Sequence, residues 1–109
     1  MNDKIKNNAE EILDLYKEAY NTFTGQNFSV SMDIALRRYK DKIAELSNNE
    51  IGIVGEMNNS NISRGTYSIY LMCNPDILEF LSQYVSEEDK NANWVRNWYK
   101  RDSQEFGSE

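Results

Sequence analysis

From Asp3 to Phe23, apolar side chains return every three or four positions: Ile5, Ala9, Ile12, Tyr16, Ala19 and Phe23, widened by Leu13 and Tyr20. That spacing lays one apolar stripe along a 3.6-residue helix and leaves Glu10, Glu11, Asp14, Lys17 and Glu18 on the rest of the cylinder. Thr24-Gly25-Gln26-Asn27 ends the helix, with Gly25 suited to a left-handed cap. Helical spacing resumes at Met32, Leu36, Tyr39, Ile43 and Leu46, joined by Ala35, and Asn48-Asn49 breaks it. Its beginning admits two readings. Phe28, Val30 and Met32 alternate with Ser29 and Ser31 as a short strand would; alternatively Ser29 or Ser31 caps the helix and Asp33 stabilises its first turn.

Two further runs alternate with period two. Glu50 to Met57 and Thr66 to Cys73 read as strands, the second placing Tyr67, Ile69, Leu71 and Cys73 on one face and Thr66, Ser68, Tyr70 and Met72 on the other. The polar stretch 58–65 joins them as a flexible hairpin loop. Asn74-Pro75-Asp76 opens another helix, with Asn capping, Pro at the first position and Asp near the positive end. Ile77, Leu78, Phe80, Leu81, Tyr84 and Val85 supply its apolar face, and Ser86-Glu87-Glu88-Asp89 marks a kink or a new helix. Trp94, Val95, Trp98 and Tyr99 form a last aromatic stripe, and residues 104–109 should fray. The pattern predicts a small single α+β domain over residues 1–109, an antiparallel β-hairpin packed against three to four helices in the order α-(β)-α-β-β-α-α. If residues 27–32 form a strand, the sheet has three.

Composition narrows the chemistry. The 109 residues contain no His and a single cysteine, Cys73. Without imidazole the commonest general base and neutral metal ligand are missing, and Ser-His-Asp or Cys-His nucleophilic sites are impossible within the chain. One Cys supports neither a zinc site nor an internal disulfide, and its place beside Tyr67, Ile69 and Leu71 marks it as a buried, inert thiol. The glycines match no phosphate-binding loop, and the polar beginning and short apolar runs suggest neither a secretory signal nor a membrane span. The expectation is a cytoplasmic protein without enzymatic activity, metal or cofactor, and the many Asn suggest a bacterial or phage gene.

Charge locates the rest. Eighteen Asp and Glu against twelve Lys and Arg give −6. Residues 50–89 carry seven acids against Arg64 alone, whereas the segment 37–49 is net basic. An acidic surface of this kind can fill a basic groove that normally holds nucleic acid. The leading expectation is therefore a non-enzymatic inhibitor of a basic protein partner such as a nuclease: a phage-encoded, anti-CRISPR-like inhibitor, or an immunity or antitoxin protein. Glu50, Glu56, Arg64, Tyr70, Asp76, Glu79, Glu87, Glu88 and Asp89 would carry the contact, Tyr70 as an exposed aromatic anchor. The alternative is a homo-oligomeric accessory or regulatory protein that touches nucleic acid through Arg37, Arg38, Lys40, Arg96, Lys100 and Arg101. Direct nucleic-acid binding is disfavoured by the net charge and by Tyr39, Trp98 and Tyr99 sitting on apolar helix faces. A homodimer through the first helix would need a seam containing Ala9, Ala19 and two aromatics, so that stripe is expected to pack within the chain.

Overall fold

The computed structural model describes residues 1–57 and 65–99. Helix α1 runs Asp3–Phe23, and the Asn2 side chain caps it by accepting the Ile5 N–H at 3.0 Å. Its stripe is wholly inside: Ile5, Ala9, Ile12, Leu13, Tyr16, Ala19 and Phe23 are buried. Gly25 follows at φ +80°, the left-handed conformation that glycine adopts without penalty.

Helix α2 runs Val30–Leu46, and the Ser29 hydroxyl accepts the Met32 N–H at 3.2 Å. The capping reading of this segment therefore holds and the strand reading of residues 27–32 does not. An alternation only five residues long fits both periods, and the cap decides between them. Leu36 and Ile43 face inward, whereas Val30 and Ile34 are exposed.

After α2 the chain reverses through Asn48 and Asn49, both at positive φ, a conformation that Asn tolerates better than most side chains. Ser47 locks this turn. It is fully buried, donates to the Ile43 carbonyl at 2.7 Å and accepts the Ile51 N–H at 3.0 Å. Ser47→Ala leaves a buried amide without an acceptor and is expected to lower stability by about 1–3 kcal/mol, read as a lower urea midpoint with an unchanged slope.

Strands β1 (Gly52–Met57) and β2 (Tyr67–Met72) pair antiparallel, with Ile53 opposite Leu71 and Gly55 opposite Ile69. Helix α1 packs on β2 and α2 on β1, so the helix pair lies under the strand pair. Ile53, Tyr67, Ile69 and Leu71 point into this interface. The far edge of β2 is closed by three other segments. Tyr67 donates to the Gln26 carbonyl at 3.0 Å, the Tyr16 hydroxyl donates to the Ile69 carbonyl at 3.1 Å, and Leu71 donates to the Trp98 carbonyl at 2.7 Å. Buried backbone groups must find partners, and here coil and side chain supply what a third strand would have supplied.

Helix α3 (Pro75–Ser82) begins with Pro at its first position as expected, but the Asn74 side chain makes no cap; Ile77 donates to the Asn74 main-chain carbonyl instead. A turn over residues 83–92 leads to the short α4 (Asn93–Arg96), and both helices rest on α1 through Ile77, Leu81, Val85, Trp94 and Trp98. The observed order is α-α-β-β-α-α. No helix among the described residues is long and apolar enough to cross a membrane.

Candidate functional site

Helix α1 turns Glu10, Asp14 and Lys17 outward because its apolar stripe occupies the opposite side. The turn after α3 is held against it by Val85 and Trp94, both buried. Between them lies a cleft of about 190 Å³ lined by Glu10, Leu13, Asp14, Lys17, Tyr84, Val85, Ser86, Asp89 and Trp94. Lys17 stands in its middle. Its ammonium donates to Asp89 at 2.9 Å and lies 5.8 Å from the centre of the Trp94 ring. The hydrogen bond to Asp89, then the charge of Asp89 and the more distant charges of Asp14 and Glu88, hold its pKa above the usual lysine value. The cleft is thus lined by three carboxylates, Glu10, Asp14 and Asp89, and one base, with the charge of Glu88 also acting on that base. Tyr84 forms an exposed aromatic wall against Phe80, their ring centres 5.2 Å apart, and the buried Trp94 keeps its Nε1 hydrogen without an acceptor among the described residues.

The acidic stretch 50–89 does not fold into one surface. Glu50 accepts a hydrogen bond from Asn2 at the beginning of α1, whereas Asp89 binds Lys17. Fifteen helical residues at 1.5 Å each separate those anchor points by about 22 Å. Glu50 lines a shallow groove at the end of the hairpin with Met72, Cys73 and Asn74. Glu56 and Tyr70 lie on the face of the hairpin turned away from the helices, and both are half-buried, so Tyr70 is less exposed than the sequence reading expected. Asp76 and Glu79 are exposed on α3, and Glu87 is exposed and paired with Lys90 at 2.8 Å. Of these acidic candidates only Asp89 lines the cleft, and Glu88 beside it adds its charge to the field on Lys17. Arg64 lies outside the described residues.

Of the basic candidates, Arg37 pairs with Asp33 at 3.7 Å on its own helix. Arg38 lines a groove between α1 and α2 with Leu15, Glu18, Ala35, Tyr39 and Lys42. There Tyr39 has its hydroxyl on Glu18 at 2.8 Å and its ring edge-on to Phe23, so its aromatic surface is already in use. Lys40 is half-buried, Arg96 is exposed, and Lys100 and Arg101 lie outside the described residues. The Cys73 thiol is partly buried, and desolvation pushes its pKa from 9.0 up to about 11, which keeps it protonated and unreactive at neutral pH.

Sequence reasoning did not bring the Glu10–Asp14 pair together with Lys17, Tyr84 and Trp94. The spacing of Glu10 and Asp14, one turn apart on the polar face of α1, was a visible signal; their meeting with a turn seventy residues later was not. In comparisons with protein-family models, curated proteins and solved structures the chain found no match, and the site is read from its own residues.

Proposed function

We propose that this chain is a non-enzymatic acidic binding protein whose α1/α3–α4 cleft receives a basic side chain of a protein partner. The observation that carries the reading is the single base, Lys17, in a cleft lined by Glu10, Asp14 and Asp89 beside an exposed Tyr84, with the charge of Glu88 acting on the same base. A site with surplus carboxylates favours a second cation, and an aromatic wall suits the flat face of an arginine. Electrostatic attraction of this type speeds encounter with a basic surface and weakens as salt screens it. A nuclease or other nucleic-acid-binding protein presents such a surface, and an inhibitor, immunity protein or antitoxin needs only to cover it. The basic face of α2 supports nucleic-acid contact less well, because its aromatic neighbour Tyr39 is engaged internally.

Asp14→Lys combined with Glu88→Lys tests the reading. Both side chains are exposed, so the fold should survive, as circular dichroism would show. Immobilised wild-type chain should retain a basic protein from a bacterial lysate at low salt and release it as salt rises. The double variant is expected to lose that capture by about a hundredfold in affinity. Undiminished capture by the variant would overturn the proposal.

A further inference from the structure

Lys17 and Asp89 meet although they stand 72 residues apart in sequence. The turn that carries Asp89 is fastened to α1 by the buried Val85 and Trp94, so apolar burial rather than the ion pair holds it there. The two charged side chains are 43 % and 27 % exposed, and an ion pair so open to water stabilises a fold little. Lys17 engages one oxygen of Asp89, Oδ2, at 2.9 Å, and its ammonium lies 5.8 Å from the centre of the Trp94 ring. A cation held between a carboxylate and an aromatic ring is the arrangement a bound basic side chain adopts, and here the chain supplies that cation itself.

We infer that Lys17 is a tethered competitor: its ammonium occupies the place on Asp89 that an arginine of the partner takes, and binding exchanges one cation for the other. The exchange, which rests on the cleft being a receptor for a basic side chain, also selects between bases. A planar guanidinium engages both oxygens of a carboxylate and stacks on an aromatic face such as that of Tyr84, whereas an ammonium is a point charge. An arginine therefore gains over the lysine it displaces, while a partner's lysine only replaces like with like. The displaced ammonium has a second acceptor at hand. Asp14 stands three positions earlier on α1, where helical side chains are neighbours, and lines the same cleft. Both cations then stay in the cleft, each with a carboxylate. Removing the lysine removes the competition and a repelling charge together.

Lys17→Met keeps an aliphatic stem against Trp94 and removes the ammonium. Its affinity for a short, end-blocked oligoarginine peptide at low salt, measured by calorimetry, is expected to exceed that of the wild type about tenfold. Lys90→Met is the control. It makes the same change in net charge on the same turn, where Lys90 pairs with Glu87 outside the cleft lining, and should shift the affinity by less than about twofold. The wild type should prefer oligoarginine to oligolysine of equal length, and Lys17→Met should lose part of that preference. Near-ultraviolet circular dichroism checks the fold, and Lys17→Gln takes the place of Lys17→Met if the methionine variant does not fold. Equal gains in Lys17→Met and Lys90→Met would overturn the inference and leave a receptor cleft in which Lys17 does not compete. Peptide binding by neither the wild type nor Lys17→Met would overturn the receptor cleft as well.

Discussion

Gly55→Ala is expected to destabilise the protein by about 1–3 kcal/mol, and Leu36→Ala by about 2–5 kcal/mol, yet the double variant should cost clearly less than the two together. Gly55 of β1 packs directly against Leu36 of α2. A methyl group on its Cα would sit 2.5 Å from Leu36 Cδ2 and 3.5 Å from the Tyr67 ring. A leucine methyl could often swing aside, but Leu36 is fully buried among core side chains and has nowhere to go. The added methyl therefore forces the helix from the strand or the leucine from its rotamer. Truncating Leu36 removes the obstruction and leaves a cavity that the new methyl partly fills. Urea unfolding of the three variants gives the coupling energy directly. Strict additivity would mean that the contact between helix and strand is loose and that nothing in the packing requires glycine at position 55.

The same contact shows what local pattern can and cannot reveal. Spacing of three and four residues marked α1 from Ile5 to Phe23, and period-two spacing sorted Tyr67, Ile69 and Leu71 from Ser68 and Tyr70; burial follows both patterns. A periodic stripe is legible because one element must hide it. The opening of α2 was ambiguous because Phe28, Val30 and Met32 alternate for too few residues, and in the fold Val30 is a surface residue rather than a strand's inward one. The closure of β2 by Gln26, Tyr16 and Trp98 had no sequence signal, since it depends on three segments arriving at one edge. The acidic stretch was legible as arithmetic but not as a surface. Glu50 and Asp89 belong to one run of sequence, yet they are drawn to opposite parts of α1 by Asn2 and Lys17. The cleft is built from residues 10–17 and 84–94, and charge summed along the chain cannot see a pairing across that separation. The exposed Val30 and Ile34 were hidden for a related reason: an apolar residue in a helical segment reads as core until its azimuth is known.

Raising the pH above about 9 should destabilise this protein steeply, because Tyr16, Tyr39, Tyr67 and Cys73 resist deprotonation in the folded state. Burial, with smaller contributions from Tyr20 and Tyr70, drives the Tyr16 hydroxyl far above the ordinary tyrosine value of 10.0. Burial raises Tyr39, helped by its bond to Glu18, and raises Tyr67, helped by Asp33. Burial also lifts the Cys73 thiol from 9.0 to about 11. In each case the unfolded chain releases its proton at a lower pH than the folded one. Stability is thus complete below the unfolded value and drains away as pH climbs from there to the folded value. Cys73 contributes about 2 kcal/mol of loss between about pH 9 and 11, and Tyr16 adds a slope of about 1.4 kcal/mol per pH unit once the pH passes about 10. Lys17, also raised through Asp89, loses its ion pair in the same direction. With no imidazole in the chain, no histidine transition precedes this one. Cys73→Ala should flatten the profile between about pH 9 and 11. Tyr16→Phe should start lower at neutral pH by about 1–3 kcal/mol, because the Ile69 carbonyl loses its donor, and then fall less steeply above about pH 10. Urea midpoints measured across this range give both slopes, and an alkaline profile unchanged in Tyr16→Phe would show that the hydroxyl reaches solvent rather than the carbonyl of β2.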